Sequence, residues 1–274
     1  MKLATIRRDS RENNTVAVRI DGDSATDLGF PSVDALLKAG ALDAARTLEG
    51  PQFPTEHLDF APVVTNPGKI ICVGVNYRPH IKEMGREIAS HPTLFMKFSE
   101  ALVGSGDPLI KPFESEMFDF EGELGVVIGQ KVRRVKGPAA TAAIAGFTIC
   151  MDGSVRDWQN HTGQWVAGKA WEGSTPVGPV LVDRDSFERH ARLTTRLDGK
   201  VMQSGFVDDV VFGPEAIIEY VSTFVTLNPG DLILTGTPGG VGHARKPPVY
   251  LQSGQTLEIE IDGIGVLSNV VTEG

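Results

Sequence analysis

Apolar and polar residues alternate with a period of two along most of this chain, and few stretches carry the three-to-four spacing of a helix. "KLATIRR" and "TVAVRI" read as strands, with a turn at Asp21-Gly22 after the second. "PSVDALLKAG" predicts a short helix capped by Ser32 and closed by Gly40, and "LDAARTLEG" predicts another ending at Gly50. The proline-rich "PQFPTEHLDFAPVVTNPGK" has little periodicity and is expected to be a linker. From Lys69 onward "KIICVGV", "ELGVVIG", "IAGFTICM", "VGPVLV", "TTRLDGKVM", "DLILTG" and "TLEIEIDGIGVLSNVV" are strand-like, several with Asp-Gly or Asn-Pro-Gly turns. In the last of these, Leu257, Ile259 and Ile261 share one face and Asp262-Gly263 turns a hairpin. One clear helix spans 214–225, with Pro214 at its start and a stripe of Ile217, Ile218, Val221, Phe224 and Val225. The pattern predicts a mixed α/β, β-rich protein. A small N-terminal α+β domain with its linker occupies 1–62, and a barrel-like or sandwich core occupies 63–274.

Composition supports a turn-rich β architecture, with 31 glycines, 17 prolines and 7% aromatic residues. A net charge of −9 without a long basic run argues against a nucleic-acid partner. No apolar stretch approaches a membrane span, and "MKLATIRRDSRENN" lacks the apolar core of a signal peptide, so a cytoplasmic location is expected. Cys72 and Cys150 sit in apolar strand-like segments and are expected to be buried reduced thiols.

Candidate chemistry begins at "FDFEGELGVVIG", where Asp119, Glu121 and Glu123 alternate on one face of a strand. Like charges so placed need water, basic partners or a cation. "GFTICMDGSVRDWQ" ends another apolar strand at Asp152, and with Glu121 and Glu123 this carboxylate can complete a three-oxygen site for a hard divalent cation. The alternative is a solvated sheet face with Asp152 as a turn residue. In "GVNYRPHIKEMG" a short helix after Pro79 would set His80 and Glu83 three apart on one face, where the carboxylate orients the imidazole as a general base. A surface histidine beside a surface acid is the competing reading. Lys97 and Lys169 have apolar or aromatic flanks, which suits snorkelling structural lysines. The glycine-rich stretch from Thr235 to Pro248 lacks the lysine-hydroxyl pair of a phosphate loop. It reads either as a cradle for a small anion, with Thr237 donating a hydroxyl, or as a tight β-connection. No serine- or cysteine-nucleophile motif and no zinc-protease spacing occurs.

Six segments, in this order, resemble the fumarylacetoacetate hydrolase (FAH) family: "GVNYRPHIKEMG", "PTLFMKFSEALVG", "FDFEGELGVVIG", "MDGSVRDWQ", "QWVAGKAWEGSTPVGP" and "ILTGTPGGVG". The resemblance covers roughly Pro67 to Val271. It implies a β-roll-like core and a divalent metal, usually Mg²⁺ with Mn²⁺ or Ca²⁺ as alternatives, held by Glu121, Glu123 and Asp152. It further implies His80 and Glu83 as a water-activating dyad, Lys169 at metal-bound water or a developing oxyanion, and Gln159 and Thr237 as substrate contacts. The implied activity is metal-dependent hydrolysis of a carbon–carbon bond in an acylpyruvate-like diketo acid. A 2-oxo acid decarboxylase or a hydroxymuconate-type isomerase is the alternative, and a non-enzymatic metal-binding interaction protein a remote one. A homodimer with a small oxo or diketo acid as substrate is expected. "MDGSVRD", Pro79 and "GKAWEGSTPVGP" depart from the commoner family patterns and leave substrate preference open.

Overall fold

Runs such as "GVVI" and "FTICM" carry no charge and are buried at every position, so their strands are covered on both faces. A computed structural model, which describes residues 1–8 and 14–274, shows what covers them. The main sheet runs in the order Gln52–Pro54, Ser24–Asp27, Thr15–Asp21, Lys2–Arg7, Thr175–Asp183, Ile144–Met151, Gly122–Ile128, Leu232–Leu234, Ile70–Gly74, Thr93–Lys97. Leu232–Leu234 and Ile70–Gly74 run parallel, and the other neighbours on this path are antiparallel.

A second, five-stranded sheet contains the predicted hairpins 192–206 and 256–273, with Leu109–Lys111 at its edge. Its inward residues Leu193, Leu257, Ile259 and Ile261 join Leu124, Val126, Phe147 and Ile149 of the main sheet in one core. The opposite face of the main sheet carries Cys72, Val127, Cys150 and Leu181, packed with Leu36 and Leu37 of the N-terminal helix. Alternation along one strand thus feeds two cores, as Val126 and Val127 show. Both cysteines are buried and free, as expected.

The predicted cap is present: the Ser32 side chain accepts from the Ala35 N–H, and Val33–Lys38 is helical. The second N-terminal helix is not. Only a single 3₁₀ turn, Ala44–Arg46, forms. The Arg19 guanidinium takes the Ala45 and Leu48 carbonyls at 2.8 and 2.9 Å, the acceptors that further turns would have used. The expected linker also holds structure. Gln52–Pro54 forms the edge of the main sheet, where proline is tolerated, and Asp59–Phe60 pairs with Ile6 and Arg7. The C-terminal helix is Pro214–Phe224, one residue shorter than predicted. Ile217, Ile218 and Val221 are buried, whereas Phe224, in the last turn, is 58% exposed and lies edge-on to Tyr220. The N-terminal part joins the rest through the Lys2–Val182 and Leu3–Leu181 pairs. We keep the division at residue 62 as a proposal, since the two parts share a sheet.

Candidate active site

The strand Gly122–Ile128 pairs with Ile144–Met151, placing Gly122 opposite Met151 and Glu123 opposite Cys150. The Asp152 N–H donates to the Glu121 carbonyl at 2.9 Å, so Glu121 and Asp152 leave the two strands at the same level. Register alone therefore brings Glu121, Glu123 and Asp152 together, each offering an oxygen within 4.8 Å of the others. All three are buried, which excludes the solvated-face reading. Asp119 lies on a separate short ladder, Phe118–Asp119 with Ser154–Val155, and is joined to Glu121 only through Arg156.

Buried carboxylates are costly unless paired. Arg156 holds Asp119 at 2.7 Å and Glu121 at 2.6 Å. Lys169 donates to Glu121 at 2.6 Å, Asp152 at 2.7 Å and the Ser154 hydroxyl at 2.6 Å, which occupies its three protons. Lys97 lies 2.9 Å from the other Asp152 oxygen and also donates to the carbonyls of Gly153 and Lys169. Neither lysine snorkels. Both ammonium groups are buried because the carboxylates they neutralise are buried.

Asp119, Glu121 and Asp152 are thus matched by Arg156, Lys169 and Lys97, while Glu123 has no cationic partner within ion-pair distance among the described residues. It accepts from the Gly236 N–H at 2.7 Å. Gly236 has φ +98°, and a side chain there would meet the Asn76 Cβ at 2.9 Å, so glycine is required for this approach. The electrostatics follow the pairing. Burial would raise the pKa of Glu121, but Arg156 and Lys169 outweigh it and hold it well below the usual carboxylate range. Burial, then Asp152 and Glu121, push Glu123 well above that range. Burial lowers the pKa of Lys169, but Asp152 and Glu121 raise it further, keeping it charged. A buried carboxylate without a cationic partner among the described residues, within 4.8 Å of two others, fits a small hard cation with oxygen ligands.

The predicted short helix after Tyr77 is Arg78–Glu83, with proline in its first turn. His80 Nδ1 and Glu83 Oε2 are 2.9 Å apart, and the other Glu83 oxygen accepts from the Gly240 N–H at 2.9 Å. His80 is only 5% exposed, so it is not a surface histidine. Burial would raise the pKa of Glu83, but the bonds from His80 and Gly240 lower it, leaving it a carboxylate. With Nδ1–H donated to Glu83, Nε2 is left as the basic atom.

A cavity of about 70 Å³ is lined by His80, Arg156 and Gln159 among others, and Arg156, 2.6 Å from Glu121, connects it to the carboxylates. The Gln159 amide oxygen accepts from Arg156 Nη1 at 3.0 Å. Thr237 stands apart, donating to the Gly122 carbonyl at 2.8 Å and accepting from Gln203 at 2.7 Å. Of the residues picked out from sequence, Glu121, Glu123, Asp152, Lys169, His80, Glu83 and Gln159 converge here, and Thr237 braces the strand behind them. Lys97 and His243 were missed as site residues. A readable signal existed for Lys97, a charge inside the apolar run "TLFMKF", since an inward strand position leaves a lysine no route to water.

A buried histidine–glutamate pair near a candidate cation site on a β-rich scaffold is an arrangement suited to acid–base chemistry. Residues 69–272 match the family model described as fumarylacetoacetate (FAA) hydrolase C-terminal. The chain is 43% identical over 224 residues to the mitochondrial oxaloacetate tautomerase Fahd2a of Rattus norvegicus, covering 81% of this chain and 72% of that protein. It matches a fumarylacetoacetate hydrolase from Exiguobacterium antarcticum with a TM-score of 0.88 and 33% identity over 100% of both chains. A 5-carboxymethyl-2-hydroxymuconate delta-isomerase from Mycobacterium smegmatis aligns with a TM-score of 0.82 and 29% identity, covering 100% of this chain and 99% of that one. The chain belongs to the fumarylacetoacetate hydrolase family.

Proposed function

We propose that this protein moves a proton next to the carbonyl of a small 2-oxo acid, interconverting keto and enol forms in the manner of an oxaloacetate tautomerase. The observation that carries this reading is the His80–Glu83 dyad at 2.9 Å, beside the buried carboxylates and on a chain 43% identical to a protein named for that activity. Enolisation needs one well-placed base and an electrophile for the oxygen. His80 Nε2 takes a proton from the carbon next to the oxo group, and the electron pair moves onto the oxo oxygen. The same proton, returned to oxygen, completes the enol, and the reverse path regenerates the ketone. Glu83 fixes the tautomer of His80 and stabilises the imidazolium. Glu121, Glu123 and Asp152 would hold the divalent cation, Mg²⁺ in this reading, which when bound acts as a Lewis acid on the oxo oxygen. Lys169 and Lys97 keep the carboxylates aligned and limit their mutual repulsion. The reading includes a C2 homodimer, the commonest closed oligomer, and a monomer of 29.4 kDa by light scattering would contradict that part.

The test is the decay of enol-oxaloacetate absorbance with Mg²⁺ present. The wild-type protein should accelerate it beyond buffer, and His80→Ala should lose about 10²–10⁴-fold, the usual worth of a general base. No acceleration by the wild type, or full activity in the variant, would overturn the reading. Full-length agreement with the Exiguobacterium antarcticum hydrolase favours a second reading, hydrolysis of acylpyruvate-like diketo acids. There His80 would deprotonate water rather than carbon. Release of pyruvate from an acylpyruvate at a rate exceeding that of tautomerisation would select it.

A further inference from the structure

The cavity that Arg156 connects to the carboxylates has a one-sided character. Among its lining residues are His80, Arg86, Arg156, Gln159, Trp165 and His243, and none of its lining residues is acidic. Two of these basic side chains are already engaged: Arg156 with Asp119, Glu121 and Gln159, and His80 with Glu83. Arg86 lies 5.9 Å over the Trp165 ring and has no carboxylate partner among the described residues. His243 is held in place from two sides. Its backbone N–H donates to Asp119 Oδ2 at 3.0 Å, the atom that also receives Arg156 Nε at 2.8 Å. Its ring Nδ1 lies 2.9 Å from the Tyr250 hydroxyl. Tyr250 is placed in turn by its neighbours, since Val249 N–H bonds to the Gly242 carbonyl at 3.0 Å and Leu251 N–H to the Phe118 carbonyl at 2.8 Å. A phenol donating to Nδ1 puts the ring proton on Nε2, and this second imidazole then presents a fixed donor.

We propose that His243, oriented by Tyr250 and assisted by Arg86, forms a subsite for the far carboxylate of a dicarboxylic substrate, and so selects 2-oxo diacids over 2-oxo monoacids. This rests on the proton-transfer reading above and names the substrate class of the same site. A lining with a second imidazole and a guanidinium that has no carboxylate partner among the described residues suits a carboxylate better than an apolar acyl tail. Asp119 and Arg156 tie the loop that carries His243 to the same ion-pair network as Glu121, so buried hydrogen bonds and ion pairs fix its distance from the reacting end.

The experiment compares two stable chelating ligands of equal carbon number, L-malate and 2-hydroxybutanoate, which differ by a carboxylate against a methyl group. Calorimetric titration of the Mg²⁺-loaded protein should give tighter binding of malate by about 10-fold, as expected of a charge-assisted hydrogen bond. His243→Leu should remove that preference and leave 2-hydroxybutanoate within about 2-fold, while Tyr250→Phe should lower malate affinity by about 3-fold. His243→Gln, which retains a donor, should recover part of the preference. Equal weakening of both ligands would show that the pair only shapes the loop, and an absent malate preference in the wild type would show no subsite. Either result overturns the proposal. Decay of enol-oxaloacetate absorbance reports the proton-transfer reading separately, because it follows turnover rather than the preference between two ligands. No acceleration beyond buffer would sink that reading, while the ligand comparison judges the subsite either way.

Discussion

The floor of the site and the helix above it hold their functional groups by opposite means. Glu121, Glu123 and Asp152 come from paired strands whose register leaves no freedom, and their neutralising lysines are as buried as they are. His80 and Glu83 sit on a six-residue helix with Lys82 and Glu83 exposed, tied to the remainder of the site through Gly240. A helix that short has little stability of its own. The floor is positioned by fold and the helix by a few hydrogen bonds, so the same kind of substitution should act on stability in one region and on activity in the other.

The largest expected effect is on the floor. Lys97→Met removes the cation facing Asp152 and leaves that carboxylate buried with less compensation, which should cost about 3–5 kcal/mol in denaturant unfolding. Lys82→Met, on the exposed side of the helix, should stay within about 0.5 kcal/mol. Similar losses at the two lysines would break the distinction.

The second effect links proton and cation at Glu123. Its pKa is raised well above the ordinary 4.5 in the folded protein by burial, Asp152 and Glu121. The folded state therefore holds a proton that the unfolded chain has released. The stabilisation is complete below the unfolded value of 4.5 and is lost as pH rises toward the folded value. Metal-free protein should lose stability over that interval. A cation replacing the proton restores it, so the stabilisation by Mg²⁺ should grow with pH, reaching about 2.7 kcal/mol at 100 times the dissociation constant. Glu123→Gln should abolish both the pH slope and the Mg²⁺ shift while keeping the metal-free fold. Thermal scans across pH, with and without Mg²⁺, check this, and an unchanged Mg²⁺ shift in the variant would contradict it.

The same contrast explains what could be read from the chain in advance. Strand periodicity, the Asp262-Gly263 turn and the Ser32 cap are local, and they stand as expected. The acidic trio was legible because two of its members are two residues apart and the third ends a strand. His80 and Glu83 were legible because helical spacing brings residues three apart together. The partners of these groups were not. Lys97 meets Asp152 from 55 positions away along the chain through β-pairing on either side, and Arg156 reaches back to Asp119 on a separate ladder. Ladder order and long-range ion pairs leave no period in a sequence. The failed 42–50 helix shows the same limit, since Arg19 captures its carbonyls from a neighbouring strand.

The smallest expected effect isolates the tether of the helix. Glu83 uses one oxygen for His80 and the other for the Gly240 N–H, so a single side chain both charges the dyad and fastens the helix. Glu83→Gln keeps an acceptor for Gly240 and removes the charge that stabilises an imidazolium. Glu83→Ala removes both. Because Glu83 is partly exposed, neither change should alter global stability by more than about 1 kcal/mol. Activity should fall about 10-fold in the glutamine variant, a loss of about 1.4 kcal/mol in barrier terms, and further in the alanine variant. Amide exchange over Arg78–Glu83 should quicken in the alanine variant alone, since only there is the Gly240 bond lost. Equal exchange and equal activity in the two variants would mean that Gly240 contributes nothing and that packing of Ile81 holds the helix. The floor and the helix would then be positioned by the same means, and the difference between them would vanish.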